Sequence, residues 1–292
     1  MLAQTSWKSE HCQRLATASD PQGLEVVVDD LVLDGTTDVA EPVWKEIVAE
    51  TKAGTFFGDT WLDQLREVNL LGGLENHGYL RVEASTEAKV ISSSPALEHA
   101  VVYARLRGGP QYTLSGVQFR NVDSERHLAF SAEELRTLIP LHEGDLFSAE
   151  KVREAITALT RHYDAHGYID FVPEPKTEID DVHQQVALVM SLQEGLQFRF
   201  GNIEIIGLGS TLEKELRSQI RTGDDLNFQL IVDFYRDHKS ELPEEVLPQD
   251  TELRRNIKER TADALFDFRS CSQLQNLETS IPPVPNHSAR AW

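Results

Sequence analysis

The chain has 292 residues, 40% of them hydrophobic, and carries 28 basic against 48 acidic side chains for a net charge of −20. That length exceeds the usual single domain, and the charge repels phosphate backbones and anionic headgroups, so two or three units and no nucleic-acid partner are expected. No apolar run approaches the roughly 20 residues that cross a bilayer as a helix, which argues against a transmembrane segment.

The first residues, Met1-Leu2-Ala3-Gln4, are followed by polar sequence. Leu2-Ala3-Gln4 reads like the small-residue cleavage site of a bacterial leader, which would place the start codon inside a longer reading frame. Residues 1–23 are predicted to be a flexible N-terminal segment. The two cysteines, Cys12 and Cys271, flank the region expected to fold. They could pair in one disulfide or be two unrelated thiols, since sequence alone cannot bring their Cα atoms within the roughly 7 Å a bridge requires.

Comparing the chain with itself brings out a repeat. Leu31-Val32-Leu33-Asp34-Gly35, Val117-Gln118-Phe119-Arg120-Asn121 and Ile203-Glu204-Ile205-Ile206-Gly207 share an apolar-x-apolar-x-turn pattern at a constant offset of 86 residues. Alternation running into Gly or Asn marks a half-buried strand ending in a turn, so each is the first strand of a unit. Gly54-Thr55-Phe56-Phe57 corresponds to Gly144-Asp145-Leu146-Phe147, and His77-Gly78-Tyr79 to His166-Gly167-Tyr168. Gly109-Pro110-Gln111-Tyr112 and Gly195-Leu196-Gln197-Phe198 each follow a strand-like run and close a unit.

The middle copy shows the local physics best. Ser131 and Glu134 form a capping box before a short helix with Leu135, Leu138 and Ile139. A loop through Gly144 leads to Phe147 and to Ser148 as N-cap, after which Val152, Ile156, Leu159 and Tyr163 make one apolar face of a longer helix. Gly167 sits where a left-handed residue would end that helix. Tyr168 to Val172 reads as a strand ended by Pro173 and Pro175, with Val186, Leu188, Met190 and Leu192 alternating in its hairpin partner. The unit is βααββ, a two-layer α+β domain of roughly 80 residues with a three-stranded mixed sheet covered by two helices.

The third copy is the least regular. Gly223-Asp224-Asp225-Leu226-Asn227-Phe228 matches the loop, and Ile231, Phe234 and Tyr235 begin its second helix, which Ser240-Glu241-Leu242-Pro243 ends in place of Gly-Tyr. Ala262 to Phe268 supplies the final strand. The predicted divisions are 24–110, 111–197 and 198–270, followed by a Pro-containing tail at 271–292 expected to be disordered.

An apolar strand, a Gly-x-x-Phe loop, an amphipathic helix ending in Gly-Tyr and a closing strand running into Glu194-Gly195 make the middle copy resemble a POTRA (polypeptide-transport-associated) repeat. The likeness covers about residues 24 to 269 and rests on the ordered set of landmarks. It implies three tandem POTRA-like domains of the kind found in the periplasmic part of outer-membrane barrel assembly factors and two-partner secretion transporters. It further implies a non-catalytic docking module of a bacterial periplasm, associated with the outer membrane, that binds unfolded or extended polypeptide clients by adding them as a strand to an exposed sheet edge.

By that analogy the client-binding edges are Tyr79, Leu80, Arg81, Val82 and Glu83, running to Ala84, in the first copy and Tyr168, Ile169, Asp170, Phe171 and Val172 in the second. Tyr79 and Tyr168 themselves read more readily as core aromatics between sheet and helix, which would leave function to the backbone edges. The family's usual barrel needs at least eight strands of about 9 to 11 residues. Only 23 residues follow Arg269, so an outer-membrane barrel encoded separately is the expected further partner. Trp292 alone, with no alternating strand before it, does not signal a barrel end.

Enzymatic signals are weak. His162 and His166 stand four apart on a helix but lack a third ligand, and histidines there also suit a helix C-terminus, so no metal or other cofactor is expected. Gly207-Leu208-Gly209-Ser210 lacks the rest of a phosphate loop, and neither a Gly-x-Ser-x-Gly elbow nor a catalytic carboxylate pair stands out. The alternatives to a docking module are a periplasmic scaffold for another envelope complex or an enzyme on a repeat frame.

Overall fold

The fold comes from a computed structural model, which describes residues 23–271. The leader reading at Leu2 to Gln4, Cys12 and hence its pairing with Cys271, the Pro-rich stretch and Trp292 all lie outside those residues. The described chain forms three mixed α+β sheets with helices, and divides into two compact units. Among the described residues, one holds 23–162 with Phe171–Glu194, and the other holds Tyr163–Asp170 with 195–271.

Repeat 1 runs β1 (Glu25–Leu33), α1 (Glu41–Ala53), β2 (Thr55–Phe57), α2 (Trp61–Gln64), a π-helical stretch Leu65–Leu71, α3 (Gly72–Asn76), β3 (Glu83–Ser93) and β4 (Leu97–Arg107). Its sheet has the order β2-β1-β4-β3, four strands where three were expected, because the Gly-x-x-Phe loop is straight enough to pair Thr55, Phe56 and Phe57 antiparallel to β1. Repeat 2 comprises β5 (Thr113–Asn121), α4 (Ala132–Thr137), α5 (Ala149–Ala165), β6 (Val172–Asp180) and β7 (Gln185–Gln193), in the order β5-β7-β6. Repeat 3 comprises β8 (Arg199–Ile206), α6 (Ser210–Gln219), α7 (Phe228–Asp237), β9 (Glu252–Asn256) and β10 (Thr261–Asp267), in the order β8-β10-β9. In repeats 2 and 3 the loop makes only single bridges, Thr113 to Leu146 and Arg199 to Asp225.

In every repeat the closing strand is central, parallel to the first strand and antiparallel to the one before it. The parallel pairing follows from the helical crossover between first and last strands, and the antiparallel pairing from the hairpin. Each first strand carries a bulge at the same place: the ladder slips between Val28 and Asp30, between Leu114 and Gly116, and between Phe200 and Ile203.

One face of each sheet is buried. Val26, Val28, Leu31, Ala100, Val102 and Ala104 meet Ile47, Leu65, Leu70 and Leu74 of the helices in repeat 1. In repeat 2, Val186, Leu188, Met190 and Leu192 are buried along β7, as alternation predicts, and Val152, Leu159 and Tyr163 on α5. At roughly 2–5 kcal/mol for truncating one such leucine, these positions decide whether a repeat folds. The helix caps also match expectation. The Ser131 hydroxyl accepts from the Glu134 N–H at 3.1 Å, and the Ser148 hydroxyl from the Lys151 N–H at 3.3 Å. Helix α7 ends at Asp237, three residues short of the predicted stop at Ser240.

Candidate functional site

The edge strand after the second helix is β3 in repeat 1, β6 in repeat 2 and β9 in repeat 3. Which backbone groups such an edge offers follows from its ladder. In an antiparallel pair, residues alternate between turning N–H and C=O toward the neighbour and turning both away.

The Ala104 carbonyl of β4 accepts from the Asp34 N–H at 2.8 Å, on the β1 side. Its ladder partner Thr86 therefore turns its backbone groups outward, and with period two so do Ala84, Ala88 and Val90. On β7 the Leu192 carbonyl accepts from the Val122 N–H at 3.0 Å, so its partner Pro173 faces outward, followed by Pro175, Thr177 and Ile179. On β10 the neighbouring Arg260 carbonyl accepts from the Arg199 N–H at 3.0 Å, which leaves Leu253 and Arg255 outward on β9.

The strands expected at Tyr79–Ala84 and Tyr168–Val172 begin later in the structure. Tyr79, Leu80, Arg81 and Val82 precede β3, and of that set Glu83 is its first residue. Tyr168, Ile169, Asp170 and Phe171 precede β6, and Val172 is its first residue. The reason is that Gly-Tyr is a helix cap. Gly78 and Gly167 adopt φ of +81° and +84°. The Tyr79 N–H reaches back to the Leu74 carbonyl at 3.0 Å, and Tyr168 to Tyr163 at 3.1 Å, while the glycines bond Glu75 and Asp164. This is a Schellman closure, whose following residue packs on the last turn; the Tyr168 ring lies 5.5 Å from that of Tyr163, nearly perpendicular. Tyr79 is buried and its hydroxyl accepts from the Ala40 N–H at 3.0 Å. Strand pairing begins only after a further turn.

Pro173 and Pro175 do not end the second strand either. It continues through both to Asp180, because their missing N–H groups face away from β7 and cost the ladder nothing.

The same caps form a joint that sequence reading missed. The Gly78 carbonyl accepts from the Tyr112 N–H at 2.8 Å, the Tyr112 carbonyl from the Phe147 N–H at 3.0 Å, and the His77 carbonyl from the Gln111 amide at 2.9 Å. Gly167, Phe198, Leu226, His166 and Gln197 repeat this set, at 2.8, 3.0 and 3.0 Å. A Cβ on Gly78 would lie 2.9 Å from the Tyr112 carbonyl oxygen, and one on Gly167 2.4 Å from that of Phe198, so only glycine fits. The recurring Gly-x-Gln-aromatic motif was the signal; it locks each repeat to the cap of the one before.

The ionic part of the joint is inverted between its two occurrences. Arg81 grips Asp181 through two bonds of 3.1 Å, and the buried Tyr112 hydroxyl donates to Asp181 at 2.5 Å. At the position matching Arg81 stands Asp170, which takes Arg255 at 2.5 Å. Hydrogen bonds from Arg81 and then Tyr112 hold the Asp181 carboxyl below its ordinary range, and the Asp181 bond pushes the Tyr112 phenol up.

His162 lies 3.3 Å from Glu134, its ring edge-on to Phe130 at 4.4 Å, so it serves packing on helix α5. No group of three or more His, Cys, Asp or Glu among the described residues could hold a metal, and no described helix is long and apolar enough to cross a membrane. A cleft of about 830 Å³ lies in repeat 3 between α7 and the following loop, lined by Val232, Tyr235, Leu242, Val246 and Leu247. Burial pushes the Tyr235 phenol well up.

Three sheets of one topology, each covered by two helical elements and joined through a glycine-capped helix, define a tandem βααββ repeat protein. Residues 112–195 match the POTRA family, described as surface antigen variable number repeat. The crystal structure of Haemophilus influenzae BamA POTRA3-5 superposes with a TM-score of 0.56 at 16% identity, over 87% of this chain and all of that one, so the described chain has the fold of tandem POTRA repeats. A Treponema pallidum (strain Nichols) protein provisionally named an outer membrane protein assembly factor is 28% identical over 179 residues, 55% of this chain. The match spans only a fifth of that relative's length.

Proposed function

We propose that this chain is a non-catalytic periplasmic docking module of a bacterial outer membrane, serving outer-membrane protein assembly or protein translocation by taking up extended client segments as an added strand. The observation that carries the reading is β3: eleven residues of edge strand with no further strand paired to it among the described residues. An unpaired edge reads backbone and tolerates many side-chain sequences, which suits a module with varied clients. The POTRA match and the assembly-factor relative support the same location and role. The cleft in repeat 3 favours a second reading, a scaffold that holds a folded partner of another envelope complex.

The test is an NMR titration of the chain with an extended peptide copied from an outer-membrane barrel strand, against a scrambled, Pro-interrupted control. Shifts along β3 or β6 with the first peptide only are expected. If neither peptide perturbs an edge, docking by strand addition is wrong, and shifts instead at the α7 cleft with a folded partner would establish the scaffold.

A further inference from the structure

We propose that strand addition is confined to the β3 edge of repeat 1, because the other edges of the described chain carry built-in stops. The inference rests on the docking reading and specifies which repeat performs it.

An incoming strand must accept from, and donate to, each outward-facing residue of the edge it joins. On β3 those residues are Ala84, Thr86, Ala88 and Val90, all with an N–H to give. The same row on β6 begins with Pro173 and Pro175, so half of its four donors are missing. Proline rings also project where the new strand would lie, and edge prolines are a known guard against unwanted pairing. The β9 edge is five residues long, with only Leu253 and Arg255 outward, and Arg255 is held by Asp170. On the opposite side, each first strand is broken by its bulge and partly occupied by the loop that leads into the second helix, through β2 in repeat 1 and single bridges in repeats 2 and 3. Bulges twist an edge away from a flat partner.

By contrast β3 has no proline, its ladder slips only near its end, between Val90 and Ser92, and it leaves Val90 and Ile91 exposed at 47% and 58%. It also packs against the π-helical stretch, a rare geometry that recurs at functional sites, where Val68 is 65% exposed. The occupant this fits is an extended polypeptide alternating polar and apolar residues, with the apolar ones beside Val90 and Ile91. It should be neutral or basic, since the chain carries a net charge of −20.

The probe is an alternating Val-Thr peptide with lysine ends, titrated into the full chain with residue-resolved NMR. In the unaltered chain shifts should follow 84–90 and leave 172–180 unmoved. Ala88→Pro removes an outward donor without touching the ladder, and should weaken binding about tenfold or more. The double variant Pro173→Thr with Pro175→Thr should gain a second set of shifts along β6. Shifts at β6 in the unaltered chain, or full affinity in Ala88→Pro with an unchanged amide spectrum, overturn the single-edge assignment while leaving docking intact. A double proline variant that gains nothing overturns the role given to Pro173 and Pro175. No shifts at any edge overturn the docking reading and this inference with it.

Discussion

Repeats 1 and 2 are alike at the joint and unlike at the edge. Both end their second helix in a left-handed glycine that receives the next aromatic N–H at 2.8 Å. Yet one sheet edge offers an uninterrupted row of donors while the other is stopped by two prolines in register. The joint admits no variation because carbonyl oxygens stand where a Cβ would go. The edge is free to vary because outward backbone groups take no part in holding the sheet together. Repetition therefore preserves what the fold needs, and function can differ between copies wherever the fold is indifferent.

The largest effect should come from breaking the shared feature. Gly78→Ala and Gly167→Ala each force a side chain into the left-handed region, costing about 1–2 kcal/mol before any clash. The clash adds to this, more for Gly167, whose Cβ would sit 2.4 Å from a carbonyl against 2.9 Å for Gly78. Urea unfolding should show both variants destabilised by at least about 2 kcal/mol, with Gly167→Ala the worse. Equal stability to the unaltered chain would mean the joint does not constrain the repeats.

The joint was nearly legible in the sequence, and the edge was not. Constant spacing located the three first strands, and the recurring His-Gly-Tyr located both glycines, because alternation and left-handed caps leave local marks. The meaning of Gly-Tyr was misread: Tyr79 and Tyr168 look like strand residues, but their N–H groups close the helix. Likewise Pro173 and Pro175 looked like a strand end, since proline's cost depends on which way its nitrogen faces, and that is fixed by ladder register to a strand many residues away. The inverted pairs Arg81–Asp181 and Asp170–Arg255 join residues 100 and 85 positions apart and leave no local trace.

A smaller effect should separate the two ionic arrangements. Asp181→Ala removes the acceptor of the Tyr112 hydroxyl as well as the Arg81 pair, so a measurable loss of stability, larger than that of either arginine variant, is expected. Arg81→Ala or Arg255→Ala breaks only an exposed pair and should change stability little. Because Asp181 has a lowered folded-state pKa, its contribution is present above the unfolded value and lost as pH falls through the folded one. Denaturant midpoints of the Asp181→Ala and unaltered chains should therefore converge below about pH 4. A constant gap down to strongly acidic pH would show that the carboxylate charge is not what Asp181 contributes.

The smallest effect lies in repeat 3, which lacks the glycine cap after its second helix. There His238 ends α7 and bridges Glu241 at 3.0 Å and Glu215 of α6 at 3.1 Å, its ring 4.7 Å from Phe234. Glu241 foremost, with Glu215 second, raises the imidazole's pKa against the opposing effect of burial. A raised folded-state pKa gives stability that is complete below the unfolded value and disappears as pH rises through the folded one. The unfolding midpoint of repeat 3 should thus fall slightly between about pH 6 and about pH 8, and His238→Gln should flatten that slope. Where repeats 1 and 2 stop their helices by backbone geometry alone, repeat 3 would do so by charge. An unchanged slope in His238→Gln would assign its helix end to the Phe234 contact instead.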